Sequence, residues 1–344
     1  MKKIRLGRTD LMVTKTSFGA LPIQRVDFDY AKLLLRKAYE GGMNYFDTAR
    51  MYSDSEEKIG YSLADVRDKI IISTKTHAKD PKGIEDHLHT SLTNMKTDHI
   101  DIYQLHLAKQ VYRPGEEDGL YDAMVKAKEQ GKIGYIGLTA HSVDVALGAA
   151  RSGLYDTVQF PLNHLSSPKD LSLIEEAKKN DVGIIAMKGL SGGLITNASL
   201  SFAFLRQFDN VVPIWGIQWE HELDEFLELE KNPPELDEKM KAAIQKDQEE
   251  LSGEFCRSCG YCLPCPADID IPQAARMMFL LRRMPWQVYI TPEWKAKMEK
   301  IRDCINCGAC KSRCPYGLNT PELLKKNLED YEQFYAEHAH LVEK

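Results

Sequence analysis

Up to about residue 219, short β-branched runs alternate with stretches whose apolar positions recur at helical spacing. The strand-like runs fall at 16–19, 44–48, 70–75, 100–106, 133–139, 157–162, 183–188 and 211–216. Helical patterns lie between them at 29–40, 83–95, 119–130, 143–152, 168–179 and 199–207. Eight strands, each followed by a helix or by an element that could become one, predict an α/β fold: a closed (β/α)8 barrel of parallel strands. An open doubly wound sheet is the rival. It would carry a Gly-x-Gly-x-x-Gly turn after its first strand, and none is present.

Past residue 219 the strand pattern stops. A polar helix is expected over 234–250, with Pro234 at its start and Gly253 after its end. An apolar helix is expected over 272–283, carried by Ala274, Ala275, Met277, Met278, Phe279, Leu280 and Leu281, and another helix over 320–338. The predicted organisation is a barrel over 1–230, an acidic helical linker over 231–250 and a mostly helical domain over 251–344. Charge sharpens that division. The net charge of −6 resolves into +1 over 1–219, −8 over 220–250 and +1 over 251–344, so the acidity lies in the connection. No basic face argues for nucleic-acid binding, and no apolar run approaches the roughly 18 residues needed to span a bilayer.

All eight cysteines lie in the last quarter of the chain, in two runs. Cys256, Cys259, Cys262 and Cys265 precede Pro266; Cys304, Cys307, Cys310 and Cys314 precede Pro315. The second run has the Cys-x2-Cys-x2-Cys-x3-Cys-Pro spacing that holds 4Fe-4S clusters in two-cluster ferredoxins, where the fourth Cys ligates the other cluster. Crossed ligation would group Cys256, Cys259 and Cys262 with Cys314, and Cys304, Cys307 and Cys310 with Cys265. The first run is one residue shorter before its last Cys. Disulfides would need an oxidising compartment, and the N-terminus carries no signal peptide. Structural zinc usually takes cysteine pairs separated by a longer gap. Two 4Fe-4S clusters in a reducing, oxygen-poor cytoplasm are the expectation. The 38 residues between the runs read as helical, longer than a compact hairpin-built ferredoxin needs.

Within the barrel, chemistry is expected at the C-terminal ends of the strands. Phe46-Asp47-Thr48 is followed by Tyr52; Ser73-Thr74-Lys75 and Gln104-Leu105-His106 end the next two strands. An Asp, a Tyr, a Lys and a His thus face one mouth, a set suited to carbonyl reduction. A phenol of pKa near ~10 is a poor acid at neutral pH. An adjacent ammonium would lower that pKa, a carboxylate would keep the Lys charged, and the His can orient a carbonyl oxygen.

The residues 46–52, Ser55-Glu56-Glu57-Lys58-Ile59-Gly60, Ser73-Thr74-Lys75 and Leu105-His106 resemble the aldo-keto reductases, as do Leu6-Gly7-Arg8-Thr9 and Phe18-Gly19-Ala20. The resemblance covers about 1–230. It implies a nicotinamide cofactor, NADP or NAD, held without a Rossmann domain, and a small-molecule carbonyl or alcohol substrate. Asp47, Tyr52, Lys75 and His106 match the family's tetrad, with Tyr52 as acid/base. Thr139 and Gln159 match the carboxamide contacts, with Asn163 following. Met187, Gly189 and Leu190, within 187–193, and Gly216 and Gln218 match loops that carry phosphates and ribose. Gly19, Ala20 and Asp47 complete the implied cofactor contacts. The chain departs from the family at Thr139-Ala140, where Ser-Asn is usual, leaving a carboxamide contact missing or supplied by His141. It departs again at Trp219-Glu220-His221-Glu222, where many members place a base for a 2′-phosphate; an acidic residue there favours NAD(H).

The cysteine region resembles the α-helical ferredoxin modules of succinate dehydrogenase and fumarate reductase iron–sulfur subunits. Residues 255–266 also resemble the tail of a ferredoxin-bearing subgroup of aldo-keto reductases. Three functions stay open. The clusters pass electrons between the barrel and a redox protein partner; they are structural or sense oxygen beside an ordinary reductase; or the barrel is mainly a docking scaffold for electron transfer. The first must reconcile two-electron hydride chemistry with one-electron clusters and shows no flavin motif; the intact tetrad argues against the third. The loops that would shape the substrate pocket are where this chain leaves the family pattern.

Overall fold

The computed structural model describes residues 1–251 and 255–341; Gly253, expected just beyond the polar helix, lies outside them. The chain divides into two compact units. Unit 1 comprises Met1–Gly189 and Ala198–Met240; unit 2 comprises Leu190–Asn197 and Lys241–Lys344. The segment expected as a linker is therefore shared, its first ten residues going with unit 1.

Unit 1 begins with an antiparallel hairpin of β1 (Lys3–Arg5) and β2 (Met12–Thr14). The strands that follow are β3 (Ser17–Gly19), β4 (Tyr45–Asp47), β5 (Ile71–Thr76) and β6 (Ile100–Leu105). Then come β7 (Ile133–Thr139), β8 (Thr157–Pro161), β9 (Gly183–Met187) and β10 (Val211–Gly216). β3 to β10 pair in chain order, all parallel, and β10 returns to β3 to close the barrel. The hairpin, absent from the sequence expectation, stops the N-terminal end: Ile4, Leu6 and Val13 pack with Tyr45, Ile102, Ile185 and Val212. Each such burial contributes roughly 1.5–3 kcal/mol.

The helices around the barrel are α1 (Phe28–Glu40), α2 (Ser55–Leu63), α3 (Pro81–Met95) and α4 (Leu120–Glu129). They continue with α5 (Val143–Arg151), α6 (Pro168–Lys179), α7 (Ala198–Arg206) and α8 (Glu220–Lys231). α1 shows why they form. Asp27 accepts a hydrogen bond from the Tyr30 amide at 2.7 Å. Ala31, Leu34, Leu35 and Ala38, at helical spacing, are the residues it buries. α8 lies in the acidic stretch where the sequence pattern gave no separate helix. Its buried stripe is Leu223, Phe226 and Glu230. Phe226 stacks on Trp215 at 4.4 Å, and Glu230 accepts from Thr16 at 2.6 Å and Arg206 at 2.8 Å.

The polar helix expected over 234–250 starts later, as α9 (Glu238–Glu250). Pro233 and Pro234 push their predecessors out of the helical region, and Asp237 caps the later start by accepting from the Met240 amide at 2.7 Å. Unit 2 continues with α10 (Ile271–Ala274), α11 (Met277–Arg283), α12 (Pro292–Glu299), α13 (Ala309–Ser312) and α14 (Thr320–His338). The single helix expected over 272–283 is thus two. The break is at Arg276, whose φ of −134° leaves the helix as its side chain turns inward to the carbonyl of Gly192. α14 is the spine of this unit: Asn327 Oδ1 accepts from the Met278 amide at 3.0 Å, and Tyr331 donates to the Tyr289 carbonyl at 2.9 Å.

Candidate active site and cluster centres

Barrel register sets the mouth. Gly19 pairs with Asp47, Asp47 with Ser73, Lys75 with Gln104, and Thr139 with Gln159. Asp47 and Lys75 are both fully enclosed, and Lys75 Nζ donates to Asp47 Oδ2 at 2.6 Å and to the Thr48 carbonyl at 2.5 Å. The other carboxylate oxygen of Asp47 accepts from Ser73 Oγ at 2.6 Å and from Gln104 Nε2 at 3.4 Å. Such bracing is what a buried ion pair needs to offset its desolvation. Gln104 has room to reach Asp47 because its neighbour is Gly137: a Cβ there would lie 2.8 Å from Gln104 Cγ and 2.4 Å from Thr157 Oγ1.

Tyr52, on the loop after β4, places its ring 5.5 Å from Lys75 Nζ. Its ring meets His106 edge-on at 5.8 Å. The structure therefore brings Asp47, Tyr52, Lys75 and His106 together at one mouth. It also reverses one expectation about them. Dehydration of the phenol, with the Asp47 carboxylate adding to it, raises the Tyr52 pKa above its ordinary value instead of lowering it. Desolvation lowers the Lys75 pKa against the pull of Asp47. It also holds His106 well below the usual histidine range, helped by the Lys75 charge. The His106 ring is therefore neutral at physiological pH, and its Nδ1 has no hydrogen-bond partner among the described residues.

Of the residues expected to hold a dinucleotide, Gly19, Asp47, Thr139, Met187 and Gly216 end barrel strands and Gln159 lies within β8. Thr139 Oγ1 accepts from the Leu107 amide at 2.9 Å, and Gln159 Oε1 from Gln104 Nε2 at 2.9 Å. Asn163 donates to the Lys188 carbonyl at 2.9 Å. His141 is buried, and burial followed by the Lys188 charge depresses its pKa strongly. Gly19 and Gly216 pair across the barrel seam, and the Ala20 amide donates to the Asp47 carbonyl at 2.8 Å. Met187 ends β9, Gly189 sits against the Trp215 ring, and Leu190 falls in unit 2. Gln218 Oε1 accepts from Arg25 at 3.2 Å. The acidic residues beyond it have structural work: Glu222 accepts from the Gln218 and Trp219 amides at 2.7 and 2.9 Å, and Glu220 from Lys37 at 2.6 Å. Ser73 and Gln104 were not singled out from the sequence as supports of Asp47. Their signal is period two: each precedes a tetrad residue by two positions and so shares its face of the strand.

In unit 2 the cysteines line two cavities. One is bordered by Cys256, Cys259, Cys262 and Cys314, with Ile271 and Leu323. The other is bordered by Cys265, Cys304, Cys307 and Cys310, with Cys262 at its edge. The last cysteine of each run thus lines the cavity of the other run. Burial, with Cys256 and Cys259 beside it, pushes the Cys262 thiol up to about 12. The cysteines lining each cavity offer the all-sulfur donor set that a 4Fe-4S cluster takes, each thiol giving up its proton on binding metal.

The model of the aldo/keto reductase family matches residues 15–245, and that of a 4Fe-4S dicluster domain matches residues 255–319. Among curated proteins, the chain is 28% identical over 219 residues to the uncharacterized oxidoreductase YqkF of Bacillus subtilis, covering 59% of this chain and 69% of that protein. It is 27% identical over 210 residues to L-galactose dehydrogenase of Arabidopsis thaliana, covering 56% and 66%. Among solved structures, an aldo-keto reductase from Bacillus halodurans in its holo form superposes with a TM-score of 0.63 at 20% identity, over 72% of this chain and 96% of that one. One from Klebsiella pneumoniae in complex with NADPH gives 0.62 at 18% identity, over 71% and 94%. Likeness at those identities bears on the fold alone.

Proposed function

The chain belongs to the aldo/keto reductase family, and from that premise we propose that its barrel reduces a small-molecule carbonyl to an alcohol with a nicotinamide dinucleotide, Tyr52 acting as the acid. The observation that carries this reading is the enclosed Asp47–Lys75 pair at 2.6 Å, with the Tyr52 ring 5.5 Å from its ammonium and His106 against that ring. The unpartnered Nδ1 of His106 and unpartnered Oε1 of Gln104 give the mouth polar capacity that a bound dinucleotide or substrate could take up. When bound, the nicotinamide supplies a hydride to the carbonyl carbon.

The chain's own residues do the rest. Asp47 supports the Lys75 charge against the desolvation that lowers its pKa, and Ser73 and Gln104 fix Asp47. Neutral His106 can orient the carbonyl oxygen, to which the Tyr52 hydroxyl gives its proton as the alcohol forms. A phenol held protonated is suited to that direction; the reverse reaction must first remove the proton and gains as pH rises. Thr139, Gln159 and Asn163 are the groups available for the carboxamide. The acidic opening of α8 disfavours a 2′-phosphate and so favours NAD(H).

The two cavities of unit 2 suit two 4Fe-4S clusters with crossed ligation. The chain between Cys256 and Cys265 is irregular, so ligation would supply the order that helices do not. We read the clusters as structural or redox-sensing, off the hydride path, because a cluster moves one electron where the nicotinamide moves two. One anaerobic experiment addresses both parts. The purified protein is mixed with NADH or NADPH, with and without an aldehyde panel, while coenzyme oxidation and cluster absorbance are followed. The expected result is aldehyde-dependent oxidation without cluster bleaching, lost by at least ~10²-fold in Tyr52→Phe, the usual size of an acid/base contribution. Unchanged activity in that variant sinks the barrel assignment; bleaching by coenzyme alone sinks the off-path role.

A further inference from the structure

Unit 2 contains a cation whose hydrogen bonds do not neutralise it. Arg276, in the break between α10 and α11, is 6% exposed. Its Nη1 donates to the Gly192 carbonyl at 2.8 Å and its Nη2 to Gln273 Oε1 at 3.1 Å, both neutral acceptors. Its Nε has no hydrogen-bond partner among the described residues. A guanidinium taken from water on these terms is costly unless negative charge lies close by.

The surroundings indicate where that charge comes from. Ile271, which opens α10, lines the cavity of Cys256, Cys259, Cys262 and Cys314. Phe279, whose amide donates to the Arg276 carbonyl, packs its ring on Phe255, the residue before Cys256. Burial works against the charge on Arg276; Cys256 is first among the groups that favour it, followed by Tyr289 and by the Asp270 carboxylate, which makes no hydrogen bond to the guanidinium among the described residues. The other end of the side chain is equally specific. Gly192 has φ +65°, and a Cβ there would lie 2.9 Å from Arg276 Nη1. A second arginine, Arg283, holds the same segment by donating to the Leu194 carbonyl at 2.9 Å, but it is paired with Asp247 and Glu250.

We propose that Arg276 is a positioning residue with two attachments: the buried counter-charge of the cluster held by Cys256, Cys259, Cys262 and Cys314, and an anchor for the segment Leu190–Asn197 at Gly192. It rests on the two-cluster reading above. A 4Fe-4S cluster with four thiolates is net negative and gains one further negative charge when it accepts an electron. A fixed cation beside it favours the reduced form and raises the potential. No proton moves, because a guanidinium keeps its charge in proteins.

The test uses the full-length, iron-loaded protein, titrated anaerobically with dithionite through mediators and followed by electron paramagnetic resonance. The signal of this cluster is identified as the one lost in Cys314→Ser. Arg276→Met is expected to make its one-electron reduction at least about tenfold less favourable, a fall of about 59 mV, with the other cluster unmoved. Amide exchange across residues 190–197 is expected to accelerate by about tenfold or more. Arg276→Lys, which keeps the charge without the planar fork, should recover the potential but not the exchange protection. Unchanged potentials in Arg276→Met, or equal shifts in both clusters, overturn the proposal. If that variant does not fold, Arg276→Gln, which removes the charge and keeps a hydrogen-bonding side chain, gives the same comparison. Wild-type protein holding four irons instead of eight overturns the two-cluster reading as well; eight irons with no Arg276 effect overturns this proposal alone.

Discussion

Lys75 and Asp47 are tolerable in the interior only as a pair, since removing one partner leaves an uncompensated buried charge. The histidines near the mouth follow the opposite strategy and stay neutral. His77, His87, His106 and His141 all have depressed pKa values, each chiefly through desolvation. In the unfolded chain they titrate near ~6.5. Above that pH both states are unprotonated and their contribution to stability is complete. As pH falls below it, the unfolded state takes up protons that the folded state refuses, and stability is lost. For the two most strongly depressed, His106 and His141, the loss is about 1.4 kcal/mol per pH unit each. Denaturant midpoints measured between pH 7.5 and 5.5 should fall with acidification, and His141→Asn should flatten the fall; a flat wild-type profile would count against the neutral histidines. The convergence of Asp47, Tyr52, Lys75 and His106 was legible because these residue types are rare in combination at strand ends. The protonation of Tyr52 was not, because sequence reveals the neighbouring ammonium but not that desolvation and the Asp47 carboxylate outweigh it.

Strands of the barrel were legible from β-branched runs because both faces of a parallel sheet are covered and the apolar signal is continuous. β7 and β10 coincide with the expected spans, and the others differ by a residue or so at their ends. The hairpin of β1 and β2 was missed because its strands, joined by the short turn Gly7–Thr9, lie ahead of the strand–helix alternation that marked the others. α8 was missed because Glu230, one of its buried positions, looks like a surface residue until Thr16 and Arg206 are placed around it. The break between α10 and α11 was missed because it depends on a carbonyl more than eighty positions away. Element packing reaches the site through β7. Gly137→Ala would drive Gln104 from its place beside Asp47, and it is expected to reduce kcat by about tenfold or more while coenzyme Kd changes little. Wild-type kcat in a folded variant would remove Gln104 from the positioning role.

At the scale of the molecule, the residues lining the two cysteine cavities make a prediction that ligation within each run does not. Cys314→Ser should cost the cluster built on Cys256, Cys259 and Cys262, halving bound iron and sparing the signal of the other cluster. Loss of the cluster built on Cys304, Cys307 and Cys310 would instead mean ligation within each run. Two cysteine runs announced a second domain plainly. What composition could not convey is that this domain is discontinuous in the chain, since the residues that join it from 190–197 carry no cysteine and fall in sequence between β9 and α7. That discontinuity bears on how the protein matures. Residues 190–197 leave the ribosome long before Arg276 and Arg283 are made, so the link from β9 to α7 is complete before the side chains that fasten it exist. Final ordering of that link must wait for the end of synthesis, and a chain cut at residue 240 would keep every barrel strand yet leave one of its connections permanently unfastened.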